Sequence, residues 1–341
     1  MTIQVIRMAL LCLSVAIPAH SQIVETVGGR ALGMGGAFVA VASDSSATWW
    51  NPAGLAAGPF LDITVGGGFI EQDRSLPAWK DRASWIALAT PPFGVSLYRF
   101  RITDIQPFAP IEQSPDDRQD SRVGVPLRSL SASQLGGTLV RTITQGVHVG
   151  TTLKYVRGTV DVGLGDSRMD ASDLLDAGES LDGGPTENHF DMDLGVLGVV
   201  GPIRIGALVR NVMEPEFGSA ALVPGGLDTR VRLPRQARVG IAYVAEDSSR
   251  RPSVALDGDI LPYDTPTGER QVVALGAEQW FLARRLGVRA GGRFNTRGAQ
   301  ELAATVGASV ALRWGLLLDG YAVGGGADAE QGWGLAARVS F

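Results

Sequence analysis

Fourteen stretches of this chain alternate apolar and polar side chains, and the links between them are sorted by parity. The stretches run over 61–70, 82–90, 92–102, 128–143, 146–161, 189–201, 202–212, 235–246, 252–262, 270–282, 284–295, 300–313, 314–323 and 331–341. In one of them Leu286, Val288, Ala290, Gly292 and Phe294 fall on one face and Gly287, Arg289, Gly291, Arg293 and Asn295 on the other. A period of two over such lengths is a strand and not a helix. The longer links follow the odd-numbered stretches, at 71–81, 103–127, 162–188, 213–234, 263–269, 296–299 and 324–330. Short ones follow the even-numbered stretches, such as Pro91, Thr144-Gln145, Gly201-Pro202 and Trp314-Gly315. A soluble sandwich has no reason to sort its loops in this way. A membrane-spanning antiparallel barrel does, with short turns at one rim and long loops at the other.

Other features agree with that reading. No later run of about 18 apolar residues exists, so a helical span is excluded and only a closed barrel could cross a membrane. The last stretch sets Trp333, Leu335, Ala337, Val339 and Phe341 on one face, an apolar edge that would invite aggregation if it ended a soluble sheet. Apolar faces are expected to meet lipid. The opposite faces then carry lumenal charges, among them Arg141, Arg238, Asp257, Asp259, Arg289 and Arg293. Trp85, Tyr98, Trp314 and Trp333 are expected in interfacial girdles.

The first residues read as an export signal: Arg7, an apolar run from Met8 to Ile17, then Ala19-His20-Ser21 before a cleavage point. Residues 1–21 are therefore assigned to a signal peptide, 22–60 to a plug or hatch, and 61–341 to the barrel. Cys12 is the sole cysteine, so the mature chain is expected to have none. A formal charge of −5 gives no basic footprint for nucleic acid. Glycine is abundant, with 45 residues. Residues 28–56 are rich in Gly and Ala and follow neither a strand nor a helix period, which suits a segment lying close against a wall.

No catalytic constellation is found, and no cofactor or metal is expected. His148 and His189 are the only histidines after the signal, and no phosphate loop or nucleophile turn occurs. Asp257 and Asp259 share a strand face and are read as partners for lumenal arginines. The link 163–188 carries seven acidic residues against one arginine, read as solvated charge with cation binding as the alternative.

Gly33-Met34-Gly35-Gly36-Ala37-Phe38, Asp44-Ser45-Ser46-Ala47 and Asn51-Pro52-Ala53-Gly54 resemble the N-terminal segment of the FadL-type outer-membrane transporter superfamily. Ile205–Phe217 and Leu275–Asn295 resemble its TraF-like branch, a relative of the PorV-like one. The resemblance implies a fourteen-stranded barrel in the bacterial outer membrane, closed by an N-terminal hatch. It implies passive uptake of hydrophobic, fatty-acid-like molecules, with Phe38, Trp49, Trp50, Asn51 and Pro52 as the hatch and ligand path. Release could be lateral, at a bend near Gly66-Gly67-Gly68 or Gly136-Gly137. The alternative it implies is a scaffold or shuttle barrel of a secretion or conjugation apparatus. Expected partners are outer-membrane lipid and lipopolysaccharide, a hydrophobic ligand or a protein, and no nucleic acid.

Overall fold

The computed structural model describes residues 20–21, 26–73, 78–105, 124–218, 230–245, 252–265, 268–298, 301–326 and 330–341. The assigned export signal lies outside them except for His20–Ser21, which pair in parallel with Val231–Arg232.

Fourteen antiparallel strands close into one barrel. They are β1 (Asp62–Gln72), β2 (Trp79–Thr90), β3 (Phe93–Ile105), β4 (Gly124–Thr144), β5 (Val147–Asp166), β6 (Thr186–Val200) and β7 (Ile203–Arg210). Then come β8 (Gln236–Val244), β9 (Ser253–Asp259), β10 (Val272–Phe281), β11 (Leu286–Asn295), β12 (Leu302–Ala311), β13 (Leu316–Gly325) and β14 (Gln331–Ser340). Each strand pairs with its sequence neighbours, and β14 closes on β1 from Gln331↔Glu71 to Ser340↔Asp62. Closure pairs every strand edge, which a backbone in hydrocarbon requires. Turns such as Pro91-Pro92, Gln145-Gly146 and Gly201-Pro202 gather at one rim and the longer links at the other.

The side chains sort as a membrane demands. Every strand turns a Val, Ile or Leu outward, from Val65 and Ile86 on β1 and β2 round to Leu318 and Leu335 on β13 and β14. Val306, near the middle of β12, is one of these outward residues. Val306→Arg is expected to lower barrel stability by about 2–4 kcal/mol, as read by urea unfolding from liposomes. An arginine tolerated there without loss would mean that this wall does not meet lipid.

Three expectations need correction. Arg141 does not face the lumen. Leu135, Gly137 and Leu139 set the outward phase of β4, and Arg141 continues it as an exposed residue beside the short turn. Trp85 and Tyr98 are not girdle residues but point inward and are buried, whereas Trp314 and Trp333 are outside. Neither glycine run interrupts the wall: pairing is continuous through Gly66–Gly68 and through Gly136-Gly137. Gly66 and Gly68 instead make room for the Trp85 indole and the Tyr321 hydroxyl inside. The acidic link after β5 also has structure. Helix Ala171–Glu179, capped by Asp170, packs Leu174 and Leu175 against Ile105 and Leu127, while Asp176 and Glu179 face Lys80 and Arg82.

Candidate functional site

The inner wall is dominated by what lies against it. Residues 26–58 run around the lumen as a nearly continuous buried segment. The segment turns through two short helical pieces, Gly29–Gly33 and Ala47–Trp50, and a 3₁₀ stretch, Pro52–Ala57. Glycines on the wall let it approach so closely. A Cβ at Gly206 on β7 would stand 2.5 Å from the Val39 carbonyl oxygen, and one at Gly307 on β12 2.9 Å from the Gly33 Cα. The segment bends at Gly35 and Gly36, whose φ of +69° and +84° favour glycine.

Polar groups fasten the segment on all sides. Asp257 on β9 accepts from the Phe38 and Val39 amides, each at 2.7 Å. Asn51 Nδ2 donates to the carbonyls of Val39 and Val196, at 2.8 and 3.0 Å, and its Oδ1 accepts from the Ala53 amide. Pro52 lies against Gly150 and Gly195. Trp50 Nε1 donates to the Val27 carbonyl at 2.8 Å, and Phe38 meets the Trp50 ring edge-on. Four of the five residues named from the sequence as hatch and ligand path, Phe38, Trp50, Asn51 and Pro52, thus hold the segment together or to the wall. Trp49 differs. Its ring centroid lies 5.0 Å from that of Tyr98 and 5.2 Å from that of Phe100, and the Arg210 guanidinium lies over the ring at 4.3 Å. The buried Trp49 Nε1 has no hydrogen-bond partner among the described residues.

Six buried or nearly buried side chains close a ring of alternating charge between segment and wall. Arg30 Nε reaches Glu278 at 2.9 Å, and Glu278 accepts from Arg289 Nε at 2.6 Å. Arg289 faces Asp319 at 3.7 Å, Asp319 faces Arg338 at 3.5 Å, and Arg338 lies 3.3 Å from Asp44. Asp44 returns to Arg30 at 3.6 Å. Burial alone would raise the Asp44 carboxyl, but Arg338 and Arg30 outweigh it and hold it below the ordinary carboxylate range. Arg30 and Asp44 belong to the segment; the other four stand on β10, β11, β13 and β14. Beside the ring, toward the short turns, is a hollow of about 650 Å³ bordered by Ser43, Gly58, Trp280 and Arg284.

The remaining predicted lumenal charges are buried within the lumen. Arg238 meets Asp259 at 2.6 Å, and Arg293 meets Glu330 at 2.7 Å. Asp257 serves backbone amides rather than an arginine. Lys154 lies between Asp191 and Asp193 at 2.8 and 2.7 Å. His148 sits at the short-turn end of β5 and His189 toward the long-loop end of β6. Among the described residues no cluster of His, Cys, Asp or Glu could hold a metal ion. Sequence reasoning missed Arg30 and Asp319, singled out Asp44 within the segment but not its ion pairs, and put Tyr98 on the wrong face. For Glu278 and Arg289 a signal did exist, since they are cross-strand neighbours on the inward phase.

Residues 81–259, just over half of the chain, match the family model described as "F plasmid transfer operon, TraF, protein". No curated protein matches the sequence. Among solved structures, the Ralstonia pickettii toluene transporter TbuX aligns with a TM-score of 0.62 at 15% identity, covering 93% of this chain and 99% of that one. A Pseudomonas aeruginosa FadL homologue gives 0.58 at 11% identity, over 94% and 99%. The Pseudomonas putida toluene transporter TodX gives 0.53 at 12%, over 94% and 98%. At such identities the likeness is one of fold, and that fold is the FadL-type barrel.

Proposed function

Because this chain belongs to the family of F plasmid transfer operon TraF proteins and has the FadL-type fold, we propose that it is an outer-membrane conduit. Its cargo is hydrophobic small molecules, which cross passively when the lumenal segment, acting as a hatch, shifts. One observation carries the reading: Trp49 sits on the hatch yet packs against the wall aromatics Tyr98 and Phe100. A movement of the hatch separates these rings and uncovers an apolar surface inside the lumen. The solved neighbours described as toluene transporters support the cargo class. The ring of six charges is balanced, three basic against three acidic, so it favours an uncharged ligand over a fatty acid.

Uptake into proteoliposomes tests this with labelled toluene and labelled oleate. Toluene is expected to enter faster than into protein-free vesicles. Trp49→Ala removes the ring contact that holds the hatch against the wall and should raise that rate about tenfold, equivalent to about 1.4 kcal/mol, while the barrel keeps its folded mobility on gels. If neither probe enters faster, the conduit reading fails.

A second reading is a scaffold barrel in a secretion or conjugation apparatus, favoured by the family match itself. It expects no uptake of either probe and a defined protein partner recovered with the barrel.

A further inference from the structure

The outer wall carries a polar break in its apolar belt on the side formed by β1 to β6. Strand register aligns the outward side chains there into rows. One row reads Val65, Ile86, Leu97, Leu135, Tyr155 and Phe190. The next row toward the long loops reads Gly67, Ser84, Arg99, Ser133 and Arg157, and the one beyond it Phe69, Arg82, Arg101, Ser131 and Thr159. Above these rows helix Ala171–Glu179 forms a ledge over Thr103 and Leu127. The arginines line a lateral notch of about 780 Å³. Directly below it runs an apolar groove of about 530 Å³, bordered by Leu135, Gly137, Leu153, Tyr155, Phe190 and Met192.

Arginines on the outside of a membrane barrel are costly against hydrocarbon, so four together mark a level where head groups meet the wall. Arg82 and Arg101 engage Glu179, and Arg101 also donates to Ser131. Arg99 and Arg157 are exposed and make no hydrogen bond or ion pair among the described residues. They stand two strands apart with Ser133 between them, roughly 10 Å at their bases. Guanidinium groups bind phosphate bidentately. We propose that this face binds the phosphorylated glycolipid of the outer leaflet, the lipid A part of lipopolysaccharide. Its phosphates lie on the arginines and an acyl chain lies in the groove below. The charge of the notch and the greasy floor beneath it together fit an anionic amphiphile. The inference rests on the barrel spanning the outer membrane with its long loops outside, and is independent of whether the hatch passes cargo.

Native mass spectrometry of the full mature protein tests it, with diphosphoryl lipid A, dephosphorylated lipid A, phosphatidylglycerol and inorganic phosphate as probes. The parent is expected to retain diphosphoryl lipid A in preference to the other three. Arg99→Ala/Arg157→Ala should weaken that binding about tenfold. Gly137→Leu, where a side chain enters open space, fills the groove without touching the arginines and should weaken it as well. Unchanged lipid A binding in either variant overturns the proposal. So does binding of phosphatidylglycerol, dephosphorylated lipid A or inorganic phosphate as tight as that of diphosphoryl lipid A.

Discussion

Replacing Glu278 by alanine is expected to open the barrel to ions. Glu278 stands between Arg30 on the lumenal segment and Arg289 on β11, and both ion pairs are shielded from solvent. Removing one partner of a buried pair leaves uncompensated charge, at a cost of about 3–5 kcal/mol. Here two guanidiniums are left facing each other, one on each side of the boundary between segment and wall. The repulsion falls where the segment must stay seated for the lumen to be shut. Conductance across a planar bilayer should rise above that of the parent, and the urea midpoint should fall. Glu278→Asp keeps the charge and should show a smaller change in both. A sealed Glu278→Ala barrel of parental stability would mean that the charge ring is no latch.

Gly206→Leu should unseat the same segment by steric means. The Val39 carbonyl occupies the space that a side chain at Gly206 needs, so the added atoms can be housed only by displacing one backbone from the other. Overpacking in a core typically costs about 1–3 kcal/mol, and a clash between two backbones cannot be relieved by a rotamer change. The expected outcome is rapid maleimide labelling of a cysteine placed at Ser45, which is fully buried in the parent, together with raised conductance. Gly258→Leu on β9 makes the same change facing outward into open space and should alter neither. Slow labelling in Gly206→Leu, equal to that of the parent, would show that the segment does not depend on this approach.

Much of the fold was legible because lipid and lumen impose opposite chemistry on successive residues. All fourteen strands lie within a few residues of the stretches marked by alternation, and β4 and β5 extend furthest into what read as links. The pattern misleads where both faces are wet. Arg141 lies beyond the apolar belt, where a charge no longer marks the lumen, and Leu135 and Leu139 place it on the outward phase. Trp85 was misplaced although Ile86 and Leu88 flank it on the outward phase, because its residue type was weighed above its parity. The lumenal contents were harder to read. The charge ring joins Arg30 to Arg338 through the path of a segment with no period of its own, and no local spacing encodes that path. A trace of it did exist in glycines such as Gly150, Gly206, Gly276 and Gly307, on the inward phase of their strands where a charged or bulky residue would otherwise stand.

The most direct test of the hatch is to fix it in place. Ser45 on the lumenal segment and Thr64 on β1 bring their hydroxyl oxygens within 2.7 Å of each other, so cysteines at both positions fall within reach of a disulfide. Cys12, the sole cysteine of the chain, is replaced by serine in this variant, which leaves the engineered pair alone. Toluene uptake by oxidised Ser45→Cys/Thr64→Cys proteoliposomes should fall to that of protein-free vesicles and return on reduction, while the parent ignores the redox change. Equal uptake in the oxidised and reduced states would show that cargo does not need this segment to move away from the wall, and would contradict the hatch-gated conduit.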